Sequence, residues 1–484
     1  MGEPKMLNIG NRLECFFDQE LLDMNATDAE VRLHQPVRRE VSMVHDAEWE
    51  GDMSNYHCIL NDDDLYRMYY LGWRYRGNAP VVCYAESRDG IHWVKPEIGI
   101  YEFNGSRANN IILDRNDNPT IDNFTVFKDE NPMCSPENRY KAAAMYGELK
   151  DGVIQGTGLY LYVSADGIHF TRERLITTKG AFDSMNVIFW DKISQKYRCY
   201  FRSFHPAPEG TPASPTGNDI RDIRYMESDD FENWSEPVML RYGEAEDSPL
   251  YTNNVQPYYR APHIFIGIPT RYVERIEWDD SFEELCGKEK RLDRMKDCQR
   301  YGLVVTDALF MTSRNGVDFK KYDEAWMPPY EENGRNWTYA DCYFAYGMIE
   351  TPSENEGADP EISLYLTGIN HWMGIPAELV RYTIRRDGFV SLHAGAKEKV
   401  VLTKEFTYDG DSLHVNFATS ARGYMSFTLI DADGKRHESA KHFGNSTCRR
   451  IKIGENATGL NSGKPVRLEI RMREADLYSI RFGK

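Results

Sequence analysis

No stretch of the 484 residues approaches the roughly 18–20 consecutive apolar residues that a membrane-spanning helix requires, and the opening segment 1–14 holds no apolar signal core. The chain is therefore expected to be soluble, not exported and cytoplasmic, a removed leader being the one exception. Basic charge is scarce: 58 Lys and Arg stand against 76 Asp and Glu, for a net charge of −18. With no local basic patch, such a chain repels phosphate backbones and anionic lipid, which removes nucleic acid and membranes as partners. Metal motifs are missing too. The nine cysteines include no CxxC pair, Cys286 and Cys298 being the closest, and the twelve histidines include no HExxH. Neither a metal nor a cofactor is expected, and the odd number of cysteines, several inside apolar runs, reads as reduced thiols.

What the chain does have is apolar material and a repeat. Hydrophobic residues make up 41% and aromatics 13%, enough to bury a sizeable core. The segments Ser87-Arg-Asp-Gly-Ile-His-Trp93, Ser164-Ala-Asp-Gly-Ile-His-Phe170, Ser228-Asp-Asp-Phe-Glu-Asn-Trp234 and Ser313-Arg-Asn-Gly-Val-Asp-Phe319 share one pattern, and Arg385-Arg-Asp-Gly-Phe-Val-Ser-Leu392 is a degenerate fifth copy. Asp-Gly or Asn-Gly between β-rich runs supplies the positive-φ residues of a tight hairpin, and the aromatic that follows anchors the outer strand in the core.

Two further strand-like runs precede each copy, such as 56–60 and 65–71 before the first, or 186–190 and 196–202 before the third. Four strands per unit and five units predict an all-β chain: a five-bladed β-propeller over residues 46–395. Beyond it, residues 396–484 alternate in short runs such as 413–417, 424–430 and 466–472, which predicts a C-terminal β-sandwich. Residues 1–45 are expected to supply a strand and a connection that close the ring.

Within a blade the strands run A to D from the axis outward. If the A–B turn and the C–D hairpin lie at one end, the start of strand A and the B–C loop share the other, where a ligand funnel belongs. Ahead of the A strands lie Trp49, Glu50 and Asp52, then Asp122, Asp183, Asn254, and Trp337 with Asp341. The B–C loops begin at Trp73 and Arg74, at Glu148, at Arg202, at Arg271 and Tyr272, and at His371 and Trp372. Asp52, Asp122 and Asp183, with Glu50 and Asp247 as substitutes, bring carboxylates from successive blades to one rim, the arrangement that paired acid/base chemistry on a glycosidic bond uses. The tryptophans and Tyr272 suit sugar stacking, and Arg202 and Arg271 suit hydroxyl or carboxylate recognition. Each position also has a plainer reading as a turn residue or as half of a structural ion pair. Two insertions, the Pro-rich 205–215 and the charged 274–300, fall on the same end and are expected to wall the funnel.

Five blades, SxDGxxW-type hairpins, one rim acid from each of the first three blades and a following sandwich resemble the furanosidase propellers of glycoside hydrolase families 32, 43, 62 and 68. The layout is most similar to family 32. Phe182-Asp-Ser-Met-Asn186, Tyr251-Thr-Asn-Asn254 and Arg386-Asp-Gly-Phe-Val-Ser-Leu392 look like bacterial family-32-like proteins. The strings WMNDPNG, RDP and EC are absent, and Asp183 stands where those families place a glutamate. The resemblance implies Asp52 as nucleophile or base, Asp122 as the stabiliser that tunes the acid, and Asp183 as general acid. The expected activity is hydrolysis of a small oligosaccharide or glycoside, a furanoside among the candidates, by a single chain or a homo-oligomer. A glycoside phosphorylase and a non-catalytic carbohydrate-binding propeller are the alternatives.

Overall fold

The computed structural model describes residues 6–151, 153–209, 219–369, 372–455 and 457–483. Five antiparallel sheets surround an axis. The first blade comprises Asn55–Asp62, Leu65–Gly72, Val81–Ser87 and Ile111–Leu113, and the second Thr125–Lys128, Tyr140–Lys150, Val153–Ser164 and Thr171–Thr177. The third follows with Val187–Asp191, Lys196–Pro206, Asp219–Ser228 and Val238–Met239, and the fourth with Gln256–Tyr258, Ala261–Gly267, Met311–Ser313 and Phe319–Lys321. The fifth takes Tyr343–Phe344, Glu361–Ile369 and Glu378–Ile384 from its own stretch of chain and Val37–Val44 from the N-terminus as its outer strand.

That borrowed strand closes the ring. It pairs antiparallel to Glu378–Ile384, and Arg381, 1% exposed, ties it down through a bidentate ion pair to Glu40. Arg38 and Arg39 add charge to this edge strand, and Met43 is its one buried side chain. The three earlier strands leave the propeller. Leu7–Gly10, Leu13–Cys15 and Glu30–Leu33 hydrogen-bond to Phe406–Tyr408, Val466–Gly483 and Val390–Ala394 in the C-terminal sandwich. There the structure departs from the short runs read in the sequence. Runs 413–417 and 424–430 are one strand, Ser412–Asp431, whose pairing with Val466–Gly483 shifts register between Thr419 and Tyr424. A bulge absorbs the extra residues without ending the strand, so polar residues at 419–422 mimic a turn.

The repeated segments form one turn. In the first copy Ser87 Oγ accepts from Gly90 N at 2.9 Å, and Asp89 Oδ1 accepts from the amides of Ile91 and His92 at 2.8 Å each. The second and fourth copies repeat this around Ser164/Asp166 and Ser313/Asn315. Gly90, Gly167 and Gly316 take φ of 72°, 78° and 77°, the left-handed conformation that glycine tolerates. In the first copy the outer strand does not follow at once: residues 94–110 intervene before Ile111–Leu113.

Each turn also docks on the blade before it. Tyr69 Oη donates to the Gly167 carbonyl and Tyr200 Oη to that of Gly316, both at 2.9 Å, while Tyr365 Oη donates to that of Gly90. Arg67 and Arg198 reinforce two of these junctions at 2.8 Å, through the carbonyls of Asp166 and Asn315. Tyr258 Oη reaches Asp387 Oδ1 of the degenerate copy at 2.6 Å. The third copy lacks the glycine, and Phe231 instead packs on Phe127 and Tyr197 with ring centroids 6.3 and 4.7 Å apart. A Cβ at Gly167 would lie 2.9 Å from Tyr69 Oη in a backbone that alanine disfavours. Gly167→Ala is therefore expected to cost about 2 kcal/mol in a urea unfolding curve.

Candidate functional site

The starts of the inner strands converge on an axis filled by tyrosines. Tyr251 lies at the centre: its hydroxyl is 3.2 Å from Tyr56 Oη and 3.4 Å from Tyr339 Oη, and it donates to the Asp183 carbonyl at 3.3 Å. Tyr343 and Tyr272 stack on it with centroids 5.6 and 5.4 Å away. These rings come from the inner strands and B–C loops of three blades, and their burial gives the funnel a rigid aromatic floor.

Asp122, Asp183 and Arg202 meet on that floor. Asp183 is the open member, its side chain 48% exposed, and it forms an ion pair with the buried Arg202 guanidinium. Arg202 lies over the Tyr251 ring, 4.9 Å from its centroid. Asp122 is half-buried. Burial pushes its carboxyl up to about 8, and the negative charge of Asp183 adds to that rise against the opposing pull of Arg202 and Arg115. One acid of the pair is thus held protonated near neutrality while the other is paired with a cation.

Asp52 belongs to a different setting. It is 3% exposed, with Oδ1 accepting from the Tyr75 amide at 3.0 Å, Oδ2 from the Gly374 amide at 2.9 Å, and Arg294 3.7 Å from Oδ2. Arg294 arrives from the 274–300 insertion, which folds into the short helices Asp280–Glu284, Lys288–Met295 and Arg300–Leu303. This segment leaves the fourth blade and crosses to the first. Arg76 pairs with Asp293 at 2.9 Å and with Asp297, and Tyr75 bonds to Asp297. Arg294 itself sits between the rings of Tyr75 and Trp372, at 5.2 and 5.5 Å. The insertion roofs Asp52 through Arg294. The other insertion is described only up to residue 209, and there His205 bridges Asp222 and Asp247 at 3.0 Å each.

Several residues read from the sequence as rim groups do structural work. Glu50 is fully buried, accepting from Tyr70 Oη and Lys95 Nζ at 2.6 Å and from the Ala47 amide at 3.1 Å, so it is withdrawn from the funnel. Trp49 donates to Asn110 and packs on Phe103, in a cluster separate from the axial one. Arg74 donates to the Glu50 carbonyl, while Trp73 packs against the axial core. Glu148 lies exposed, paired with Lys150 at 2.7 Å. Asn254, at φ 46°, braces the fourth blade to the fifth through the Phe344 carbonyl at 2.8 Å. Arg271 is held in a bidentate pair by Asp307. Trp337 donates to the Tyr330 carbonyl at 2.6 Å, and Asp341 is buried in a turn, accepting from Thr338 N at 2.6 Å. Burial raises the Asp341 carboxyl to about 8 as well. Trp372 packs between Tyr301 and Tyr75 at 4.7 Å from each, and His371 lies outside the described residues.

Sequence reasoning passed over Tyr56, Tyr339, Arg221, Arg294 and Arg300. Tyr339 was within reach, since it sits in the Trp337–Asp341 string ahead of the fifth inner strand. The arginines were not, because two of them reach the axis only through the fold of the insertion.

No family model matches the sequence. No curated protein matches it either. Among solved structures, an N-acetylgalactosamine deacetylase from F. plautii in complex with blood group B trisaccharide is similar at 14% identity, over 73% of this chain and 96% of that one, with a TM-score of 0.42. A Bombyx mori GH32 beta-fructofuranosidase is 9% identical over 93% of this chain and 94% of its own, TM-score 0.41. A structure from the GH130 family of mannoside phosphorylases is 12% identical over 75% and 95%, TM-score 0.40.

Removing the Arg294 guanidinium leaves the Asp52 charge buried with two amide donors alone. Arg294→Ala is expected to destabilise the protein by about 3 kcal/mol in chemical denaturation.

Proposed function

We propose that this protein cleaves a glycosidic bond at the Asp122–Asp183 pair. The observation that carries the reading is the contrast between the two carboxyls: a half-buried acid raised to about 8 beside a more exposed carboxylate held by Arg202. Environments that separate two neighbouring carboxyls in this way assign one as proton donor and the other as base or nucleophile. Asp122 is the general acid in this reading, donating its proton to the leaving oxygen, and Asp183 acts on the sugar or on its attacking water. The roles carried over from the family resemblance are thereby shifted by one blade, with Asp52 supporting the roof.

Hydrolysis is the first form of the reaction, on a small oligosaccharide or glycoside, furanosides included. Transfer to phosphate is the second, favoured by the arginines beside the pair. Dependence of turnover on added phosphate separates the two.

A panel of aryl-furanosides, aryl-pyranosides and plant oligosaccharides provides the test. At least one substrate is expected to be cleaved, with Asp122→Asn and Asp183→Asn each about 100-fold slower or worse; variants as fast as the parent would remove the assignment. The pH profile carries a sign. An acid raised to about 8 remains protonated below that value, so the alkaline limb of kcat/KM is expected to fall as pH rises through about 8. Stability follows the same group. The folded state holds a proton that the unfolded Asp122 releases near the ordinary aspartate value of 3.8, so the contribution is fully present below that pH and is lost as pH rises towards about 8. Asp122→Asn is accordingly expected to melt higher than the parent at about pH 9, and by a smaller margin at about pH 5.

A further inference from the structure

The aromatic floor is ringed by hydrogen-bond donors that find no acceptor among the described residues. The Nε–H groups of Arg202, Arg221 and Arg300 and the hydroxyl of Tyr272 are buried without a partner among the described residues. Arg202 and Arg221 are 4% and 7% exposed. They project from neighbouring strands of the third blade on the same face, since Arg221 pairs across the ladder with Phe204, two residues beyond Arg202. The Arg221 guanidinium lies 4.0 Å from the centroid of Tyr272, and that of Arg202 4.9 Å from the centroid of Tyr251. The two rings stack at 5.4 Å. Arg300, from the last helix of the insertion, lies 5.4 Å from the centroid of Tyr301, a ring 5.7 Å from Tyr339, which is itself 5.7 Å from Tyr272. Three guanidinium groups thus surround three touching tyrosines.

The acids that face this cluster are few. Asp183 neutralises Arg202, Asp122 is the raised carboxyl, and Glu274 acts on Tyr272. A buried donor left unpaired is destabilising, and buried positive charge is ordinarily matched by negative charge. Neutral hydroxyls would satisfy the donors and leave the charge; an oxyanion satisfies both.

We infer that Arg202, Arg221, Arg300 and the Tyr272 hydroxyl form an oxyanion-binding subsite beside the carboxylate pair. Its ligand is the carboxylate of an acidic sugar or a free phosphate that serves as co-substrate. The inference rests on the glycoside-cleaving reading only for what reacts next to the anion. A uronosyl carboxylate bound here places its own ring within the funnel that holds Asp122 and Asp183. A free phosphate bound here stands beside the same pair, ready to take the glycosyl group.

Isothermal titration calorimetry on the full chain tests this with glucuronate, galacturonate and inorganic phosphate, using glucose and galactose as neutral controls. At least one anion is expected to bind saturably, with neither neutral sugar doing so. Arg221→Gln and Arg300→Gln are each expected to weaken the anion about 10-fold or more. Binding of a uronate locates the anion on the sugar; binding of phosphate alone identifies the co-substrate. Arg300, half-buried on a short helix, provides the readout if the Arg221 variant does not fold. No saturable binding at about 10 mM of any anion overturns the subsite, as does binding that both variants leave unchanged. Asp122→Asn separates the two claims, because it is expected to retain anion binding while losing turnover. Anion binding by a parent that cleaves no glycoside leaves the subsite standing and removes the reaction; cleavage without anion binding does the reverse.

Discussion

The architecture depends on tyrosine hydroxyls that reach, across three of the five gaps between blades, to the carbonyl of a turn. A propeller has no hydrogen-bonded ladder from one sheet to the next, so its blades are held by packing and by whatever polar contacts span the gap. Here Tyr69, Tyr200 and Tyr365 each satisfy a glycine carbonyl of the following blade's turn, and Arg67 and Arg198 satisfy the carbonyl before it. The turn can present that carbonyl because Ser and Asp side chains have already taken up its amides and glycine has taken the left-handed position. Local turn chemistry and ring assembly are therefore one interaction. Where the glycine is missing, at Phe231, aromatic packing replaces the hydrogen bond, and that junction is the exception that shows what the others share.

Once the blades are clamped at one end, the starts of their inner strands must converge at the other. Convergence alone does not make a site, and the structure sorts the converging carboxylates by what covers them. Asp52 is closed over by Arg294 and two amides, Asp341 by its own turn and Asp183 by a single arginine that leaves it half exposed. Asp122 keeps its place beside Asp183 with little to stabilise its charge, which is why its carboxyl rises. The insertion between strands of the fourth blade has two effects. It covers Asp52 through Arg294, and it brings Arg300 beside the tyrosines.

The fold was legible in the chain because its signal is periodic: the turn motif recurs every 64 to 85 residues, and two apolar runs precede each copy. The sandwich was legible in kind and misread in detail, since a bulge at 419–424 looks in sequence like a break between strands. Of the groups that meet at the axis, Asp122, Asp183, Arg202 and Tyr272 could be read from their position ahead of an inner strand or at the start of a B–C loop. The same rule pointed to Glu50, Asn254 and Arg271, whose side chains are taken up by structural partners. Glu50 stands two residues before Asp52, close enough to share its prediction, yet its side chain turns into a different cluster with Tyr70 and Lys95. Position along a strand tells where a backbone begins, and side-chain direction at an irregular loop is decided by the partners it finds.

By itself the sequence determined the number of blades, the chemistry of the turn that joins them and which end of the ring gathers the acids, because each follows from local hydrogen bonding repeated at a regular spacing. Only the tertiary structure decided which acids are open and which are sealed, and which arginines stand beside them. Burial and charge at one carboxyl depend on residues far away in the chain, such as Arg294 against Asp52 or Asp183 against Asp122, and on the path of an insertion that follows no repeat.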